Sequence, residues 1–88
     1  LNYHVKVKRS AVKALKKIPK ADQKRIAVKI DSLAEDLPNP DTTKMKGNNP
    51  FHRIRVGEYR IIYEIQEDIL LILVVKIGHR KDIYRNLP

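Results

Sequence analysis

The apolar residues of this chain keep two different rhythms, and a loop rich in proline, glycine and asparagine separates them. Ile26, Ile30, Leu33 and Leu37 recur at intervals of four, three and four, which makes one face of an α-helix. Lys24, Arg25, Lys29, Asp31 and Glu35 lie off that face, and Pro38 stops the helix. Beyond Pro50 the period drops to two. Ile54 and Val56 alternate with Arg53 and Arg55, then Tyr59, Ile61, Tyr63 and Ile65 alternate with Arg60, Ile62 and Glu64. Helices and strands are therefore segregated along the chain, which is the pattern of an α+β domain.

The remaining elements follow from local chemistry. Tyr3, Val5 and Val7 alternate with His4, Lys6 and Lys8 as in a half-buried strand. Ser10 is placed to cap a short helix whose stripe is Ala11, Ala14, Leu15 and Ile18, and Pro19 ends it and begins the next. Gly57-Glu58 and Gln66-Glu67-Asp68 are turns, and residues 38–50 read as a loop. The β-branched run Ile69 to Ile77 fits a central strand that Gly78 ends or kinks. The expected order is an N-terminal strand, a helical hairpin and an antiparallel β-meander, with the helices on one sheet face. At 88 residues this is a single domain, 1–88, with a thin core.

The chain has no cysteine, so disulfides, Cys-ligated zinc, iron–sulfur clusters and a thiol nucleophile are excluded. A small secreted domain usually needs bridges, so a cytoplasmic location is expected. Lys6, Lys8 and Arg9 interrupt any signal-peptide pattern, and the longest apolar run, Ile69 to Val75, is too short to span a bilayer. No membrane partner is expected.

Nineteen Lys and Arg against ten Asp and Glu give +9, which supports a polyanionic partner without by itself choosing among RNA, DNA, an anionic membrane and an acidic protein. The charge is uneven: +9 in residues 1–30, −2 in 31–50, +2 in 51–63, −3 in 64–75 and +3 in 76–88. Side chains alternate across a strand, so each meander strand sorts into two faces. Maximal burial turns Ile54, Val56, Tyr59, Ile61, Tyr63, Ile65, Ile69, Leu71, Leu73, Val75 and Ile77 toward the helices. Arg53, Arg55, Arg60, Lys76 and Arg80 then gather on the helix-free face, a phosphate-binding surface in outline. Such a face is also ordinary in an antiparallel sheet, but here only Glu64 and Glu58 offer counter-charges. The same parity puts Ile62, Leu70, Ile72 and Val74 on that face, where they need a cover, either a terminal segment or a bound protein.

Several segments in this order resemble one family: Tyr3 to Ser10, Lys44-Met45-Lys46-Gly47, His52-Arg53-Ile54-Arg55-Val56-Gly57, Gly57-Glu58-Tyr59-Arg60-Ile61-Ile62-Tyr63 and Gly78-His79-Arg80-Lys81-Asp82-Ile83-Tyr84. Over essentially its whole length the chain resembles the RelE toxins of toxin–antitoxin pairs, within the RelE/ParE superfamily. The resemblance implies a metal-independent endoribonuclease, without a cofactor, that cuts mRNA in the ribosomal A site and is silenced by a cognate acidic antitoxin. It implies that Arg53 and Arg55 are the basic pair of the second-strand motif. Arg60 would bind phosphate, Arg80 would act on the leaving group, and Tyr84 would stack on or orient the substrate. Lys46, Lys76 and His79 would add RNA contacts.

The chain departs from the best-known form of that pattern, which has lysines where Arg53 and Arg55 stand. A crowded lysine can lose its proton, whereas arginine, with a pKa of roughly 12.5–13.8, cannot, so neither position supplies a general base. His79 titrates in the right range, but its parity is opposite to that of Arg80 unless Gly78 breaks the strand. Tyr84 either packs the sheet edge or returns to the cationic face. Two other functions remain in view: a non-enzymatic DNA gyrase inhibitor of the ParE kind, and a plain nucleic-acid-binding module.

Overall fold

A computed structural model describes residues 3–35, 42–45 and 50–84. Strand β1 (His4–Val7) leads into α1 (Arg9–Lys16) and α2 (Lys20–Glu35), and then come β2 (Thr42–Lys44), β3 (Phe51–Val56), β4 (Tyr59–Gln66) and β5 (Leu71–His79). The strands form one sheet in the order β1-β5-β4-β3-β2. The β3-β4-β5 meander is antiparallel as the alternation predicts, and β1 adds to β5 in parallel. The expected α+β class and element order hold.

Helix α1 begins from a tertiary anchor and α2 from a local turn. Lys8 still donates its backbone N–H to Val74 (2.9 Å) while its carbonyl accepts the first α1 bond from Val12 (3.0 Å). Helix α1 therefore starts at Arg9, with Lys8 in the capping position, and Ser10 is inside the helix rather than its cap. At the next junction the Pro19 carbonyl accepts from Gln23 (2.9 Å), and the Gln23 amide donates back to the Ile18 carbonyl (2.7 Å), which closes the turn. Ile26, Ile30 and Leu33 of α2 are buried as their spacing predicts. Leu37 and Pro38 lie outside the described residues.

Two corrections concern strands. Thr42–Lys44, read as loop, is a short strand paired with Ile54, Arg53 and His52, so β-branched threonines supply an edge to the sheet. Strand β5 begins at Leu71, not Ile69. Glu67–Ile69 form a 3₁₀ turn that leaves Ile69 58% exposed, and Leu70 follows at φ 52°, outside the extended range.

The third correction decides which residues face which side. Ile62 pairs with Lys76 and Tyr63 with Val74, so Val75 is an extra residue in β5, a β-bulge. Parity inverts across it. Ile72 and Val74, expected on the helix-free face, are buried in the helix-side core with Ile26, Leu33, Ile54, Ile61 and Tyr63. Leu73 and Val75, expected under the helices, join Phe51, Ile62, Met45 and Ile83 in a second cluster on the opposite face. The reason is physical: in a run where every residue is apolar, alternation carries no phase, and only pairing with β4 sets it. Beyond the bulge the register returns to the expected one, with Ile77 opposite Ile61 and Lys76 opposite Ile62.

Candidate functional site

The second cluster solves the covering problem and builds the site. Gly78 neither ends nor kinks β5, which runs on to His79. The chain then turns: Asp82 and Ile83 both donate to the His79 carbonyl, at 2.9 and 3.0 Å. Ile83 folds back over Gly78, with its Cδ1 only 3.3 Å from where a Cβ on that glycine would stand. Its side chain is 0% exposed against Phe51, Ile62 and Val75. The chain's own C-terminal segment thus covers Ile62.

That turn delivers Tyr84 to the arginines. Arg53 Nη1 donates to the Tyr84 hydroxyl at 2.6 Å, across 31 positions of sequence. The Arg53 guanidinium carbon is 5.8 Å from the Tyr84 ring centroid, within cation–π range. Tyr84 keeps 43% of its surface exposed, so the ring can still receive a base. Of the two readings of Tyr84, the packing favours return to the cationic face.

The other cations are set by strand register. Arg55 and Arg60 stand directly opposite each other, an arrangement that repels. Arg60 turns its Nη1 to the carbonyls of Gly57 (3.1 Å) and Tyr59 (3.0 Å), which fixes its position beside the exposed Arg55. Arg80 donates its backbone N–H to the Glu58 carbonyl (2.8 Å), and its Nε pairs with the Glu58 carboxylate. Both side chains are exposed, so this pair orients Arg80 more than it stabilises the fold. Lys76 lies in line with Arg53 across Ile62, two strands away, and also borders a cleft of about 440 Å³ against α1. The turn Gly57-Glu58-Tyr59 therefore anchors two of the five cations, a role for Glu58 that its sequence position suggested only as counter-charge.

His79 is not brought to this group. Because β5 stays regular through Gly78, His79 takes the parity of Tyr59, its register partner, and packs edge-on against that ring at 5.8 Å. Its Nδ1 accepts from the Lys81 backbone N–H at 3.2 Å. Lys46 lies outside the described residues. His52 is on the helix side, stacked on Tyr63 at 5.6 Å, and its buried Nδ1 has no hydrogen-bond partner among the described residues. Burial, and then the positive charge of Lys44, hold its pKa below the ordinary 6.5. Among the described residues no three His, Cys, Asp or Glu side chains gather as a metal site, and no helix is long and apolar enough to cross a membrane.

The comparisons give this basic α+β domain its class, the small toxins of type II toxin–antitoxin systems. The family model for the ParE toxin of type II toxin–antitoxin systems matches residues 5–84. Toxin RelE3 of Methanocaldococcus jannaschii is 38% identical over 82 residues, covering 88% of this chain and 90% of that protein. The archaeal RelE–RelB complex from Pyrococcus horikoshii contains a chain with TM-score 0.80 and 31% identity, covering 93% of this chain and 99% of that one. In the RelB–RelE complex from Methanococcus jannaschii the values are 0.74 and 35%, covering 93% and 98%. The chain belongs to the RelE/ParE superfamily of type II toxins, and is of the RelE type.

Proposed function

We propose that the protein is an endoribonuclease that inhibits translation by cleaving mRNA in the ribosomal A site. The observation that carries this reading is the Arg53–Tyr84 contact, which sets an exposed aromatic ring beside a rank of fixed cations. The ribose 2′-oxygen attacks the adjacent 3′-phosphorus, and the bond from phosphorus to the 5′-oxygen breaks. The products are a 2′,3′-cyclic phosphate, or its hydrolysed form, and a 5′-hydroxyl. Tyr84 stacks on a base and orients the strand. Arg60 and Arg55 hold the non-bridging oxygens, and Arg53 sits between phosphate and Tyr84. Arg80 supports the charge that develops on the leaving 5′-oxygen, which takes its proton from solvent to become the 5′-hydroxyl, and Lys76 binds a neighbouring phosphate. Preorganised cations suit this chemistry because it needs alignment and charge stabilisation more than a new nucleophile. No arginine can take the 2′-proton, so solvent or the ribosome receives it.

A cognate acidic antitoxin of the RelB kind holds the protein silent. The RelE chains of the Pyrococcus and Methanococcus structures were solved with RelB, and the +9 charge suits an acidic partner. Action on ribosomes makes the cytoplasm its location.

The test is incubation with translating ribosomes and mapping of mRNA ends by primer extension. Cuts at A-site codons, lost in Arg80→Ala, are expected. Intact mRNA together with blocked DNA supercoiling would instead select the gyrase-inhibitor reading.

A further inference from the structure

A second group of cations lies away from Tyr84. Lys24, Arg25, Val28 and Lys29 of α2 form one wall of a cleft of about 430 Å³, and Arg55 and Gly57 form the other. That size is within the ~300–1,000 Å³ of ligand-binding clefts. Gly57 has φ +58°, and a Cβ there would stand 3.0 Å from Arg25 Nη2, so the bare turn lets the guanidinium lie against it. Asp22, 3.3 Å from Arg25 Nη1, steadies that arginine.

Arg55 belongs to two surfaces. In register it stands opposite Arg60 on the arginine face, yet it also lines the cleft. The cationic surface therefore continues from Tyr84 and Arg53, past Arg55, around the end of β3 and onto α2.

We propose that this cleft is a second phosphate-binding station, which holds the backbone of the substrate RNA beyond the nucleotides at the arginine face. The proposal rests on the RNA-cleaving reading above and adds a path for the strand. Its composition favours RNA over an acidic protein segment. The one large apolar side chain at the cleft that is strongly exposed is Val28, at 69%. Protein interfaces are depleted of charge at their core and enriched in aromatics, whereas nucleic-acid contacts go mainly from cations to phosphates.

The test compares two charge variants with the parent protein, Lys24→Ala with Lys29→Ala and Lys24→Glu with Lys29→Glu, at one exposed and one half-buried position of α2, with folding checked by circular dichroism. Binding is read by fluorescence anisotropy with uncleavable 2′-O-methyl RNA, one strand of about twelve nucleotides and one of about three, within and below the ~4–16 nucleotides of single-strand sites. For the long strand the alanine pair should lose roughly tenfold in affinity, and its log–log salt slope should fall by about 1.4, since each phosphate contributes ~0.7. The glutamate pair should lose more, and the short strand should be unaffected by either. Equal long-strand affinity and slope in all three proteins would overturn the proposal. So would a loss confined to ribosome binding, or to binding of an acidic antitoxin, because the cleft would then serve a different partner. If mRNA is not cleaved on ribosomes but the slope still falls, the nuclease reading fails and the RNA-binding cleft stands. If cleavage occurs and the slope does not change, the cleft alone fails.

Discussion

Replacing Ile83 by alanine should disarm the site without touching a charged group. Ile83 is fully buried against Phe51, Ile62 and Val75, and its backbone N–H is tied to the His79 carbonyl. The substitution removes three buried carbons, worth about 2–3 kcal/mol at ~0.8 kcal/mol each. The cavity term raises the range for such truncations to about 2–5 kcal/mol. The hollow over Gly78 is lined by Ile62 and Val75, which belong to a rigid sheet and cannot collapse into it. We therefore expect about 3 kcal/mol by urea unfolding. Ile30→Ala, in the core under α2, is the matched control. Both variants should be assayed where circular dichroism shows them folded. Ile83→Ala should then lose most of its mRNA cleavage while Ile30→Ala retains it, because only Ile83 holds Tyr84 against Arg53. A stability loss below about 1 kcal/mol, less than the transfer term alone, or full activity in folded Ile83→Ala, would refute the reasoning.

Arg80→Ala should unfold at nearly the parent urea concentration, since its pair with Glu58 is exposed, but should cut 10²–10³-fold more slowly, about 3–4 kcal/mol of lost charge stabilisation; single-turnover cleavage measures it. Gly57→Ala should cost about 1–2 kcal/mol, because φ is +58° there and the new Cβ would press on Arg25; urea midpoints of the two proteins decide. His52 has a folded pKa below 6.5, so its contribution to stability is present above pH 6.5 and is lost as pH falls toward the folded value. The urea midpoint should therefore drop from pH 7.5 toward pH 5, and drop less in His52→Phe; parallel pH profiles would show that His52 plays no part.

Much of the architecture was legible because period and punctuation are local. The helical face of Ile26, Ile30 and Leu33 needed only spacing, and the outward placement of Arg53 and Arg55 only their alternation with Ile54 and Val56. Chemical identity was legible too: arginine at positions 53 and 55 rules out a base at either. Lys76 keeps its expected phase because it follows the bulge, whereas Arg80 lies past the end of β5 and is held by Glu58 rather than by strand parity. Ile72 and Val74 were misplaced because they precede the bulge.

What residue order determined by itself was the class of element over most of the chain, though not at Thr42–Lys44 or Ile69, together with the sign of the exposed face and the chemistry its side chains can perform. Each depends on neighbours a few positions apart. Tertiary structure alone decided the phase of β5, the cover over Ile62, the contact of Tyr84 with Arg53 and the meeting of Arg55 with α2. Each joins residues far apart in sequence. The uniformly apolar Ile69 to Val75 gives no local cost to either phase. The choice falls to the packing of a whole sheet between two helices and a folded-back C-terminal segment.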